Sequence, residues 1–135
     1  MTCFVDTSAF YAVLDRDDQN HARAKPQWES LLRQGAMLAS TGYVLVETLA
    51  LLQHRLGLQA VRAFHDDIYP LLRIEWVDAS LHEAGITGVL SAQRKNLSLV
   101  DCVSFVVMRR LGIREAFAFD PHFAEQGFSC VPSPV

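Results

Sequence analysis

Five short apolar runs punctuate the chain: Thr2–Val5, Ala36–Ala39, Ile74–Val77, Ala116–Phe119 and Phe128–Val131. Each has the length of a strand buried on both faces. Between them lie stretches of helical periodicity, from about Asn20 to Gln34, Tyr43 to Leu56, Leu58 to Leu71, Ser80 to Arg94 and Leu99 to Leu111. Gly35, Gly57 and Gly112 follow three of these segments, as C′ glycines do. A short helix is expected after Asp6, with Arg16 near its end. Strands alternating with helices build βαβ units, and hence a mostly parallel sheet covered on both faces. In such sheets ligands bind beyond the carboxyl ends of the strands, where the strand order reverses.

The size suits one domain spanning residues 1–135, with no linker or internal repeat to divide it. Half of the residues are hydrophobic (50%) and only 20% are charged, enough apolar material for a core and too much for disorder. Lys and Arg number 12 against 15 Asp and Glu, a net charge of -3. That excludes a protein that holds nucleic acid by bulk charge. The longest uncharged stretch, Gln34–Val46, is shorter than the roughly 18 residues of a membrane span. The first residues reach Asp6 without a basic segment, so no signal peptide is expected. Cys3, Cys102 and Cys130 are odd in number and far apart, which reads as free thiols in a reducing cytoplasm. Pro132–Pro134 is expected to be a frayed tail.

Four acids stand where the chemistry of such a sheet belongs. Asp6 follows the first strand and precedes Thr7-Ser8, and Asp120 follows the fourth run and precedes Pro121. Asp101 lies three residues after Ser98 at a helix start. Taken singly, each is explained by helix capping. Glu47 is different. It sits in the apolar run Tyr43–Leu52 and is expected on a buried helix face, where a carboxylate needs a partner or a metal. On a parallel sheet all four can converge at one edge. Their mutual repulsion would raise at least one pKa, and a hard divalent cation, Mg²⁺ or Mn²⁺, would relieve it. Two such ions can clamp the attacking and leaving oxygens of a phosphoryl displacement.

These residues resemble the PIN-domain family, in particular its small VapC-type ribonuclease toxins. The resemblance rests on Phe4-Val5-Asp6-Thr7-Ser8-Ala9, on Val46-Glu47-Thr48, on Leu97-Ser98-Leu99-Val100-Asp101-Cys102-Val103-Ser104, and on Ala116-Phe117-Ala118-Phe119-Asp120-Pro121-His122-Phe123. It implies a three-layer α/β/α sandwich with a central, mostly parallel five-stranded sheet. It also implies Mg²⁺- or Mn²⁺-dependent endoribonuclease activity on Asp6, Glu47, Asp101 and Asp120, acting on RNA in a toxin paired with a small antitoxin. Many members carry Thr where this chain has Ala118, and some carry an acid where it has His122. Both departures weaken a second metal position more than the first, which leaves either one or two ions at rest.

Thr7 and Ser8 are candidates to hold metal waters or the scissile phosphate, against plain capping; Arg16 and Lys95 are candidates to position RNA phosphates. Ser104 is either support for Asp101 or a tolerated small residue. Arg109-Arg110 suits a helix C-terminus. The histidines at 21, 54, 65, 82 and 122 show no metal-binding spacing and read as surface or structural. Apolar faces on the second and third helical regions suit a homodimer or an antitoxin groove. The competing reading is a protein-binding module with structural acids. A phosphatase with an Asp nucleophile lacks its second Asp, since that position is Ser8.

Overall fold

The computed structural model describes residues 1–133; Pro134, and with it part of the expected tail, lies outside them. The chain runs β1 (Thr2–Val5), α1 (Thr7–Leu14), α2 (His21–Arg33), β2 (Met37–Thr41), α3 (Gly42–Arg55) and α4 (Leu58–Ala63). It continues through β3 (Leu72–Glu75), α5 (Ala79–Ala92), α6 (Leu99–Leu111), β4 (Glu115–Phe117), α7 (His122–Glu125) and β5 (Ser129–Val131). The five strands form one sheet in the order β3-β2-β1-β4-β5, every pair parallel, with helices flanking it in an α/β/α sandwich. The order reverses at β1, which has β2 on one side and β4 on the other.

The core has a physical logic that the sequence pattern shares. Phe4 and Val5 of β1, Leu38 of β2 and Phe117 of β4 are buried, as both-face coverage requires. Phe10 of α1 meets Phe64 edge-on at 5.1 Å and Trp28 of α2 at 6.5 Å. A second aromatic set joins Phe123 of α7 to Phe105 of α6 at 5.0 Å and to Phe4 at 6.1 Å. That set fixes the short α7 against the sheet. α5 and α6 pack closely enough that a Cβ on Gly85 would come within 2.5 Å of Val103 Cγ2. Gly112 ends α6 at φ +69, and Ile113 N–H returns to Met108 O at 2.8 Å, the closure a left-handed residue provides.

Several element bounds differ from expectation, for identifiable reasons. β2 runs on to Ser40 and Thr41, which are polar yet fully buried. Ser40 donates to Val5 O at 2.9 Å, and the Thr41 hydroxyl accepts from Val44 N at 3.1 Å, so both hydroxyls are satisfied. β3 is an edge strand, half-covered, and sits two residues earlier than the apolar run Ile74–Val77. β4 ends at Phe117, so Ala118 and Phe119 bridge from the sheet to Asp120. The expected helix Leu58–Leu71 breaks into α4, a π-type turn at Phe64–Ile68 and a 3₁₀ turn at Tyr69–Leu71 that contains Pro70. No helix among the described residues is long and apolar enough to cross a membrane.

Candidate metal centre at the carboxyl edge of the sheet

Asp6 leaves β1 and Asp120 follows β4, the two adjacent strands at which the order reverses. Backbone bonds tie the two exits together, since Asp6 N donates to Phe117 O at 3.1 Å. Asp6 caps α1: its Oδ2 accepts from Ser8 N at 3.2 Å and from the Ser8 hydroxyl at 2.7 Å. The same hydroxyl accepts from Phe119 N at 3.0 Å. Ser8 therefore links the β1 exit to the segment that carries Asp120. Asp101 is the third residue of α6 and completes a capping box with Ser98; Asp101 N donates to Ser98 Oγ at 3.1 Å and Ser98 N to Asp101 Oδ2 at 3.2 Å. Asp120 Oδ1 accepts from His122 N at 2.8 Å. Asp6 and Asp101 are thus capping groups, and Asp120 braces the first residue of α7. Capping occupies only part of their acceptor capacity.

Their electrostatics are unfavourable in the absence of a cation. Asp6 is 4% exposed, and burial pushes its carboxyl up to about 7. The Ser8 bonds oppose that rise, while repulsion from Asp101 and Asp120 adds to it. Asp101, 8% exposed, is raised by burial and then by Asp120, against the Ser98 bonds and His122. Glu47 is raised by partial desolvation, with Asp101 and Asp120 adding and the Thr7 hydroxyl opposing.

Glu47 corrects one expectation. It is exposed at the mouth of the site, beside Val46 at 67% exposure, rather than on a buried helix face. The buried face of α3 is made by Gly42, Val44, Leu45, Thr48 and Leu52. The apolar run around Glu47 therefore does not report burial.

The closest convergence of ligand atoms is among Asp101, Asp120 and His122, all within 4.8 Å of one another. Asp6 and Glu47 feel the fields of Asp101 and Asp120 but stand outside this set. His122, 8% exposed, is the residue that sequence reasoning missed. Its signal was the departure already visible at that position, a histidine in place of an acid. His122 Nδ1 lies 2.7 Å from Asp120 Oδ1 and 4.0 Å from Asp101 Oδ2, yet it is out of line for a hydrogen bond and has no partner. A buried, unpartnered nitrogen among carboxylates fits a divalent cation as the missing group.

Thr7 is buried; its hydroxyl donates to Val44 O at 3.4 Å and accepts from Thr48 Oγ1 at 3.0 Å, joining α1 to α3. Ser104 is buried and donates to Val100 O at 2.8 Å. Arg16, in the turn after α1, and Lys95, in the turn before α6, are exposed and make no ion pair among the described residues. Arg94 pairs with Glu125 of α7 at 3.0 Å, which holds the Lys95 turn near the end of α7. Arg23, also unforeseen, lines a groove of about 260 Å³ together with Asp120 and Phe119. The larger cavity of about 550 Å³, at the amino edge of the sheet near Met1 and Met37, contains none of the four acids. Burial pushes all three thiols up, Cys3 to about 12, and the neighbouring acids add to the rise at Cys102 and Cys130.

A parallel sheet with carboxylates gathered at its switch point is the arrangement the resemblance implied, and residues 3–129 match the PIN domain family. The chain belongs to that family. It is 36% identical over 126 residues to the 23S rRNA-specific endonuclease VapC20 of Mycobacterium tuberculosis, from strains CDC 1551 / Oshkosh and H37Rv alike, covering 93% of this chain and 94% of the relative. The crystal structure of Mycobacterium tuberculosis VapC20, described as a sarcin-ricin loop cleaving toxin, superposes with a TM-score of 0.83 at 35% identity, covering 95% of this chain and 96% of that one. FitAcB from Neisseria gonorrhoeae shares the fold at a TM-score of 0.67 and 14% identity, with 96% of each chain covered.

Proposed function

We propose that residues 1–135 act as one PIN nuclease domain, a divalent-metal-dependent endoribonuclease that serves as the toxin of a toxin–antitoxin pair. The observation that carries this reading is the convergence of Asp6, Asp101 and Asp120, from three separate segments, at the point where the sheet reverses order. Asp101 and Asp120, with Asp6 and Glu47 beside them, are the groups that would hold Mg²⁺ or Mn²⁺. A bound cation supplies an activated water and offsets the charge that builds on the phosphoryl oxygens.

The chain's own residues do the rest. Glu47 faces solvent at the mouth of the site, outside the closely set Asp101, Asp120 and His122, and is the carboxylate placed to take the proton of the attacking water. Asp101 is held in one orientation by its capping box with Ser98. Ser8 fixes Asp6 and the Phe119 backbone together, and Thr7 anchors the start of α1 to α3, so both position the acids of the site. Arg16 and Lys95, exposed and unpaired among the described residues, would hold RNA phosphates outside the acidic centre.

The similarity to a 23S rRNA-specific endonuclease makes ribosomal RNA the proposed substrate class. A small antitoxin and a second copy of the chain are the proposed protein partners, in a cytoplasmic setting that suits the free thiols. Inducible expression of the wild type against Asp101→Asn tests the reading. Growth arrest with RNA cleavage by the wild type alone is expected. Equal arrest by the variant would leave the acids a structural role and favour a protein-binding module.

A further inference from the structure

The position two residues after Asp120 carries a histidine that the fold holds in a single place. Pro121, at φ -65, precedes it, and its own backbone N–H is fixed on Asp120 Oδ1 at 2.8 Å. The next residue, Phe123, is fully buried against Phe4 and Phe105. The backbone that carries the imidazole is therefore fixed, and the ring itself is buried. Its Nδ1 is buried, 2.7 Å from Asp120 Oδ1 and 4.0 Å from Asp101 Oδ2, without a hydrogen bond to either. A proton on Nδ1 would lie in the ring plane and miss the Asp120 oxygen. An ion set to one side of the line between the two atoms reaches both.

The separations agree with one ion. Ligand atoms at about 2.1 Å from a six-coordinate cation stand about 3 Å apart when adjacent and about 4 Å apart when opposite. His122 Nδ1 stands 2.7 Å from Asp120 Oδ1, near the adjacent spacing, and 4.0 Å from Asp101 Oδ2, near the opposite one.

We propose that His122 is a metal ligand: its Nδ1, with carboxylate oxygens of Asp101 and Asp120, forms a mixed nitrogen–oxygen site that favours Mn²⁺ over Mg²⁺. Mg²⁺ is satisfied by oxygen and parts reluctantly with its waters, whereas imidazole suits the transition metals. The inference rests on the metal-site reading above and deepens it. It also reverses what the replacement of an acid implied. Position 122 contributes a ligand of different softness where the sequence suggested a lost one.

The test is pulsed electron paramagnetic resonance on the purified full chain loaded with Mn²⁺ alone. Wild type is expected to show nitrogen modulation from a directly bound imidazole. Protein grown with ¹⁵N-histidine should show the corresponding ¹⁵N signal, a result that needs no variant. His122→Asp should bind Mn²⁺ without nitrogen modulation, and calorimetry should find its preference for Mn²⁺ over Mg²⁺ reduced by about tenfold. Mn²⁺ bound by wild type without nitrogen coupling overturns the proposal and leaves the acidic metal site standing. Nitrogen coupling that persists in His122→Asp overturns it as well. A wild type that binds no Mn²⁺ overturns both this proposal and the reading beneath it.

Discussion

Replacing Asp6 with Asn should stabilise the metal-free protein at neutral pH and above. The folded-state pKa of Asp6 is about 7, against 3.8 for the free group. A raised carboxyl pKa means that the folded state holds its proton longer than the unfolded chain does. The stability it confers is complete below pH 3.8 and is lost as pH rises through 7. The full difference corresponds to about 4 kcal/mol at 1.36 kcal/mol per unit. Asn is as good an N-cap as Asp, so α1 keeps its start. Its carbonyl still accepts from Ser8, and its charge no longer opposes Asp101 and Asp120. Urea melts in EDTA should therefore give Asp6→Asn an advantage that grows by about 2–3 kcal/mol between pH 5 and pH 8. Saturating Mn²⁺ should narrow the gap, because ligand at a hundred times its dissociation constant stabilises the wild type by about 2.7 kcal/mol, and the variant, with one carboxylate fewer beside the ion, gains less. A pure capping role predicts no such gain. An Asp6→Asn protein equal to or weaker than wild type at pH 8 in EDTA would refute the reasoning.

Other consequences follow from individual side chains. Gly85→Ala should destabilise by about 1–3 kcal/mol in denaturant melts despite alanine's helix preference, because its Cβ would press on Val103; a neutral result would mean that α5 and α6 separate easily. Ser98→Ala should cost about 1 kcal/mol in thermal melts through loss of the α6 cap, and Ser98→Thr should recover most of it. Arg16→Glu with Lys95→Glu should weaken RNA binding, measured by fluorescence anisotropy, and should flatten its dependence on salt by roughly one unit of slope for each phosphate no longer neutralised; unchanged binding would remove both from the RNA path.

Much of this site was legible because its acids also obey local rules. Asp6 and Asp101 are helix-capping residues, and Asp120 holds the first turn of α7. Those positions in a βαβ chain are the ones that point at the carboxyl edge. A cap and a metal ligand are compatible in one residue, so the local reading and the functional one were never exclusive. The less legible parts depend on three-dimensional packing. Ser40 and Thr41 are buried and polar, with partners on other elements, so an apolar run could not mark the end of β2. Glu47 lies in an apolar stretch of sequence but on the exposed face of its helix, because only five α3 residues turn inward. His122 had no spacing to mark it. Its nitrogen meets Asp101 only because α6 and α7 pack through Phe105 and Phe123. Pro70 gave a local reason for the 3₁₀ turn that ends the expected helix, and the half-covered β3 shows how an edge strand blurs its own periodicity.

Cleavage of ribosomal RNA by the purified chain, with and without a divalent ion, tests the central claim most directly. The wild type should be silent in EDTA, cut 23S rRNA when Mn²⁺ or Mg²⁺ is restored, and lose that activity in Asp101→Asn while the variant's circular dichroism remains that of the wild type. Cutting that persists in EDTA, or in Asp101→Asn at the wild-type rate, would contradict a metal-dependent mechanism centred on these carboxylates.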